Sequence, residues 1–144
     1  MKRKVLGLLL FLLIVPLFMG CDQKNSIGTV TIEIKTLGDN PDTTEVEESY
    51  ISRSEEVGYA EEETLFDLLM ETFDMSCAAE DGSADDACEY AGQYGHYILS
   101  IDTLNPTEAN EYISFSINGE YAMSGADSTM PNDGDVFTFE IGSF

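Results

Sequence analysis

The sequence predicts an α+β domain, a mostly antiparallel sheet packed on one helix. Three observations carry this. Short runs alternate apolar and polar residues with the period of a half-buried strand: Val30, Ile32 and Ile34 near the start, Tyr97, Leu99 and Ile101 later, then Ile113, Phe115 and Ile117. Two tight-turn signals, Asn118-Gly119 and Asn132-Asp133-Gly134-Asp135, separate the last runs. Thr64 to Met75 alone has helical spacing, with Leu65, Leu68, Leu69, Thr72 and Phe73 on one face.

Lys2, Arg3 and Lys4 precede an uninterrupted apolar run from Val5 to Met19, which stops at Gly20-Cys21. That pattern describes an export signal, and the run is short for a spanning helix. Leu17-Phe18-Met19-Gly20-Cys21 resembles the lipobox of bacterial lipoproteins. The resemblance implies a signal peptide over 1–20, lipidation of Cys21, and a protein held at the extracytoplasmic face of the cell membrane through acyl chains on that residue. Ordinary cleavage and an uncleaved anchor are the alternatives. Residues 21–28, rich in polar and small side chains, read as a tether, and 29–144 as one domain.

All 28 acidic residues follow Cys21 but only three of the six basic ones do, so the exported chain carries a net charge near −25. Nucleic acid is excluded as a partner by repulsion. Cys77 and Cys88 remain once Cys21 is assigned, and an oxidising compartment favours a disulfide between them. A zinc site would need further ligands, and His96 is the only histidine, so no metal site is expected. Whether the acidic loops take up calcium is left open; neither E-D-G-S-A-D-D nor N-D-G-D has EF-hand spacing.

In chain order, Thr29 to Leu37 reads as a strand and Gly38 to Glu48 as a polar connection. Tyr50-Ile51 and Val57 to Tyr59 suggest a short second strand. In the helix, Thr64 and Asp67 stand like a capping box with the shorter acid, and Glu61 to Glu63 suit its positive end. Phe66 and Met70 widen the apolar arc, as expected for a core helix. Ser76 to Gly92 reads as a loop, and three or four antiparallel strands close the chain.

These closing strands resemble a known family. G-H-Y-I-L-S-I-D at Gly95–Asp102 is similar to the G-Y-Y-I-S-S-I-N stretch of the transcobalamin and intrinsic-factor C-terminal domain. E-Y-I-S-F-S-I-N-G at Glu111–Gly119 is similar to its T-Y-W-Q-F-L-S-G strand, and Gly125-Ala126-Asp127 to its G-V-A-D. The E-T-L-F-D-L-L-M helix also fits bacterial surface lipoproteins carrying such a domain. The resemblance implies a β-grasp-like fold and a ligand-binding lipoprotein whose ligand is a corrinoid such as cobalamin, captured for uptake. Ser100, Ile101 and Phe115 are the ligand-facing candidates it carries over, with Met123 just beyond the hairpin; Tyr97 and Tyr121 join as nearby aromatics. It implies as partners an envelope transporter or a separate helical protein. No bound cofactor is expected other than the corrinoid as ligand.

A cell-surface interaction or adhesion module pairing through a strand edge, without a small ligand, is the alternative. An enzyme is not expected: nothing marks a serine or cysteine partner for His96, which reads as a partly exposed filler, and no carboxylate pair is singled out.

Overall fold

A computed structural model describes residues 25–38 and 48–144. The signal run, Cys21 and most of the 38–48 connection lie outside the described residues. Five strands form one mixed sheet in the order β2-β1-β8-β6-β7: β1 (Gly28–Gly38), β2 (Glu48–Tyr59), β6 (Glu111–Ile117), β7 (Glu120–Tyr121) and β8 (Val136–Ser143). A second sheet of three strands, β4-β3-β5, contains β3 (Met75–Ala78), β4 (Ala84–Asp85) and β5 (Ile98–Ile101). The helix α1 spans Leu65–Thr72.

The alternation of β1 is realised as read. Val30, Ile32 and Ile34 are buried, while Thr31, Glu33 and Lys35 turn outward. Beside it, β8 runs parallel, placing Ile32 opposite Phe137 and Ile34 opposite Phe139. β6 then pairs antiparallel with β8, Phe115 opposite Phe139 and Ile117 opposite Phe137. Directly opposed residues share a face, so these apolar side chains make one inner surface. Leu65, Phe66, Leu68 and Leu69 of α1 are buried in the same core. The outer face is polar: Lys35 Nζ lies 2.9 Å from Glu140 Oε2, and the Thr138 hydroxyl donates to Glu33 at 2.9 Å.

Asn118-Gly119 turns β6 into β7 with φ of 53° and 85°, the positive pair that a type I′ turn requires. Asn118 also grips the second turn, its Nδ2 donating to Asp135 Oδ1 and its Oδ1 accepting from Val136 N. The capping box forms: Asp67 N donates to Thr64 Oγ1 at 3.2 Å, and Thr64 N donates to Asp67 Oδ2 at 2.9 Å.

Four expectations are corrected. The helix stops at Thr72, not Met75, because Phe73 and Met75 are buried and Asp74 is bonded to β5's end, Asp102 N donating to Asp74 O at 2.7 Å and Asp74 N donating to the Asp102 carboxylate. The stretch read as a loop from Ser76 supplies most of β3 and all of β4, and the expected bridge Cys77–Cys88 forms within it. The fragments Tyr50-Ile51 and Val57–Tyr59 belong to one strand of twelve residues, paired along the whole of β1 apart from a bulge at Ile34/Lys35. The Ile98–Ile101 strand does not join the closing ribbon; it pairs with β3.

Candidate ligand-binding cleft

β5 leaves the small sheet through a tight turn in which Ile101 and Leu104 exchange backbone hydrogen bonds of 3.0 and 2.8 Å. Both are buried and anchor the turn in the core. Asp102, between them, adopts a left-handed φ of 49°, uncommon for any residue but glycine and tolerated best by Asn and Asp. Its carboxylate leaves the strand sideways, accepts from Asp74 N at 3.0 Å, and pairs with the Arg53 guanidinium.

Arg53 reaches this point from β2, over the ring of Phe73 at 4.6 Å. Its Nε donates to Glu55 and its Nη2 donates to the Thr72 carbonyl at 3.3 Å, closing the end of α1. The hydrogen bonds to Glu55 and Asp102 raise its pKa, so the charge is permanent. One arginine therefore joins the large sheet, the helix and the small sheet.

Around Asp102 the surface opens into three adjoining hollows. The main cleft, about 530 Å³, lies beside β5 and is lined by Tyr97, Ile98, Leu99, Ser100 and Pro106, by Ser76 and Ala84 of the neighbouring strands, and by Glu108 and Glu111. A second, about 440 Å³, shares Ser100 and Asp102 and adds Met70, Phe73, Asp74 and Asp86. The third, about 330 Å³, shares Asp102 and reaches Tyr50, Ser52 and Thr36. The hydroxyls of Ser76 and Ser100, 2.7 Å apart, bind each other at the boundary of the first two.

Glu111 is placed by its own loop. Its Oε2 accepts from Thr107 N at 2.8 Å and Glu108 N at 3.0 Å, which pulls its pKa below the usual carboxylate value. A depressed pKa adds stability that is fully present above the unfolded value near 4.5 and fades as pH falls through the lower folded value. Glu111→Gln should therefore be less stable than the natural chain at neutral pH, with the gap closing below pH about 4.5; denaturant melts of the two chains across that range measure it.

The candidate residues are placed as follows. Tyr97 and Ser100 come together on the main cleft. Ile101 has no exposed surface and belongs to the core. Phe115 packs on the inner face of the large sheet, stacked on Phe139 at 5.1 Å. Tyr121 is exposed on the opposite face, in the row of Ser116, its cross-strand partner. Met123 is almost wholly exposed beyond β7. Neither Tyr121, Met123 nor Phe115 lines the main cleft.

Residue-by-residue reading of the sequence missed Arg53, Asp102 and Glu111. Lys35 and Arg53 are the only lysine or arginine among the described residues, a count open to sequence reading that would have drawn attention to what Arg53 pairs with. His96 is more than a filler. Its ring lies flat on Phe66, centroids 4.0 Å apart, while Nδ1 is 2.5 Å from Asp127 Oδ1. Its backbone N–H donates to Asp127 Oδ2 at 3.0 Å. Gly95 admits that carboxylate: a Cβ there would sit 2.4 Å from Asp127 Oδ2, and its φ is +97°. The pair fixes the approach to β5 and so the position of Tyr97. Among the described residues no three histidine, cysteine or carboxylate side chains are grouped to hold a metal ion.

Fold and cleft together define a two-sheet α+β module with an open, carboxylate-edged hollow beside its small sheet. The chain belongs to the family described as "Domain of unknown function (DUF4430)", whose model matches residues 62–143. That span runs from α1 through the cleft-bearing sheet to β8. A crystal structure from Ruminococcus gnavus ATCC 29149, described as that of a "putative metal binding protein", is similar in fold, with 17% identity and a TM-score of 0.50 over 81% of this chain and 98% of that one. No curated protein matches the chain in sequence.

Proposed function

We propose that this is a membrane-anchored, extracytoplasmic lipoprotein that binds a small ligand in the cleft along β5. The observation that carries the reading is that hollow of about 530 Å³, within the size range of small-molecule sites and lined by the apolar Ile98, Leu99 and Pro106 together with polar groups such as Tyr97, Ser100 and Glu111. Tyr97 and Ser100, singled out by the resemblance to the transcobalamin-type domain or by proximity to it, both lie on it. The second and third hollows adjoin the first at Asp102, so a ligand larger than one hollow could extend past that residue. The lipobox-like stretch at Cys21 supplies the anchor, and the buried Cys77–Cys88 bridge suits an oxidising exterior.

Within this reading the ligand is a corrinoid, the domain is β-grasp-like, and an envelope transporter or a helical partner protein completes the path of uptake. The reading assigns the chain no reaction. Titration of the purified protein with cobinamide and with cobalamin should change the corrin absorbance, and a hundredfold excess over Kd should add about 2.7 kcal/mol of stability, visible as a raised melting temperature. A folded sample that leaves absorbance and melting temperature unchanged with both corrinoids removes the corrinoid reading.

One observation favours the alternative of a protein-interaction module. Among the described residues β2 pairs with β1 alone, so its other edge offers up to twelve residues of backbone to an added strand. A concentration-dependent rise in mass by light scattering would support it.

A further inference from the structure

The main cleft combines apolar and carboxylate lining, and this sets the kind of ligand it can hold. Along β5 the wall is apolar and aromatic, with Leu99 and Tyr97, and Pro106 extends it. The same lining carries Glu111, whose Oε2 is tied to two backbone N–H groups while Oε1 makes no hydrogen bond among the described residues. A carboxylate fixed through one oxygen loses little further freedom when the other takes up a donor. Glu108, exposed, lies on the same lining. Among the described residues neither Arg53 nor His96 lines the cleft; Arg53 bonds Glu55, Asp102 and the Thr72 carbonyl, and His96 pairs with Asp127. An anionic ligand would meet Glu111 and Glu108, neither of which has an ion-pair partner among the described residues, while Asp102 is offset by Arg53; the cost grows as water is displaced.

We infer that the cleft selects ligands with an apolar body and a cationic or N–H-rich head, the body lying along Tyr97 and Leu99 and the head bonding Glu111 Oε1. This rests on the cleft being the binding site and names the class of ligand it takes. Alkyl- or arylammonium compounds and neutral molecules fringed with primary carboxamides belong to that class. Carboxylates and phosphates of the same shape do not.

Matched fluorescent probes separate the two classes: naphthylmethylammonium and naphthylacetate share their ring and differ in the sign of the head. The natural chain should bind the ammonium probe at least roughly tenfold more tightly than the carboxylate. Glu111→Gln should remove most of that preference. The double variant Glu56→Gln, Glu61→Gln, which takes two charges from exposed positions outside the cleft, should keep it, which separates the site from the general attraction of a highly acidic surface. Ala84→Trp places a ring in the cleft from an exposed position and should block both probes while the melting curve stays cooperative.

Equal affinity for the two probes, or preference for the carboxylate, overturns the charge selection; if Ala84→Trp then still blocks binding, the cleft itself stands as the site. Binding of neither probe overturns the selection as well. Binding that ignores both Glu111→Gln and Ala84→Trp overturns the selection and the cleft together.

Discussion

Replacing Cys77 and Cys88 together by alanine is expected to lower stability by about 3 kcal/mol, the loop-entropy value for a closure of this length. The two residues are eleven apart, and both are buried, Cys77 completely. Lost sulfur contacts add to the entropy effect, and both act on the side of the molecule that carries the cleft. β4 holds to β3 through only two residue pairs, Cys77 with Asp85 and Ala78 with Ala84. Ala84 lines the main hollow and Asp86 the second, so the bridge secures a wall of each. The segment keeps some order of its own, since Asp85 accepts from Ala87 N at 3.0 Å and Glu89 N at 2.8 Å. Local loosening of β4 should therefore precede global unfolding in the variant. The measurement is a denaturant melt of the double variant, compared with the natural chain under reducing and oxidising conditions. A loss below about 1 kcal/mol in both comparisons would show that the bridge is incidental to the fold.

The places where sequence and structure agree share a physical cause, and so do those where they part. β1, the Asn118-Gly119 turn, the Thr64–Asp67 cap and the disulfide are written locally: each depends on residues within a few positions of one another or on a pair of cysteines. The full length of β2 could not be read because Ser52 to Glu56 carries no apolar residue; β1 holds that strand by its backbone, and its inner row uses Arg53 and Glu55 where an apolar residue would be expected. β3 was hidden for the opposite reason. It is short, it follows closely on a helix, and its backbone partners are the two-residue β4 and β5, the latter over twenty residues later. The cleft was legible to the extent that Tyr97 and Ser100 lie on β5 or beside it. Its junction was not, because Asp102 acquires its role from Arg53, which is 49 residues away in sequence. Strand alternation likewise shows that Ile101 and Phe115 are apolar on an ordered strand, but it does not say which side of that strand meets solvent.

The largest loss from a single substitution is expected at Phe139. Phe139→Ala should cost about 3–5 kcal/mol, the range for deleting a wholly buried aromatic ring. Its side chain has no exposed surface, stacks on Phe115 across β6, and sits opposite Ile34 across the parallel seam. That seam joins the first described strand to the last, so no turn can hold it in register; side-chain contact and the ladder do so alone. The turn Asn132–Asp135 supports one end, where Gly134 N donates to Thr29 O at 2.8 Å and Thr31 N donates to Asp135 O at 2.9 Å. Phe139 lies at the other end of the paired stretch, which spans only Thr31–Ile34 against Val136–Phe139. Removing the ring leaves a void between three strands, and neighbours held by ladders on both sides cannot close it. Phe139→Leu refills most of the volume and should cost less than about 1.5 kcal/mol. A domain whose whole stability is on the order of 5–15 kcal/mol would feel the alanine variant as a melting temperature lowered by 10 °C or more. Calorimetry on the two variants decides it: equal losses from alanine and leucine would mean that shape, not volume, holds the seam, and a loss under about 1 kcal/mol from alanine would show that the seam is not part of the core.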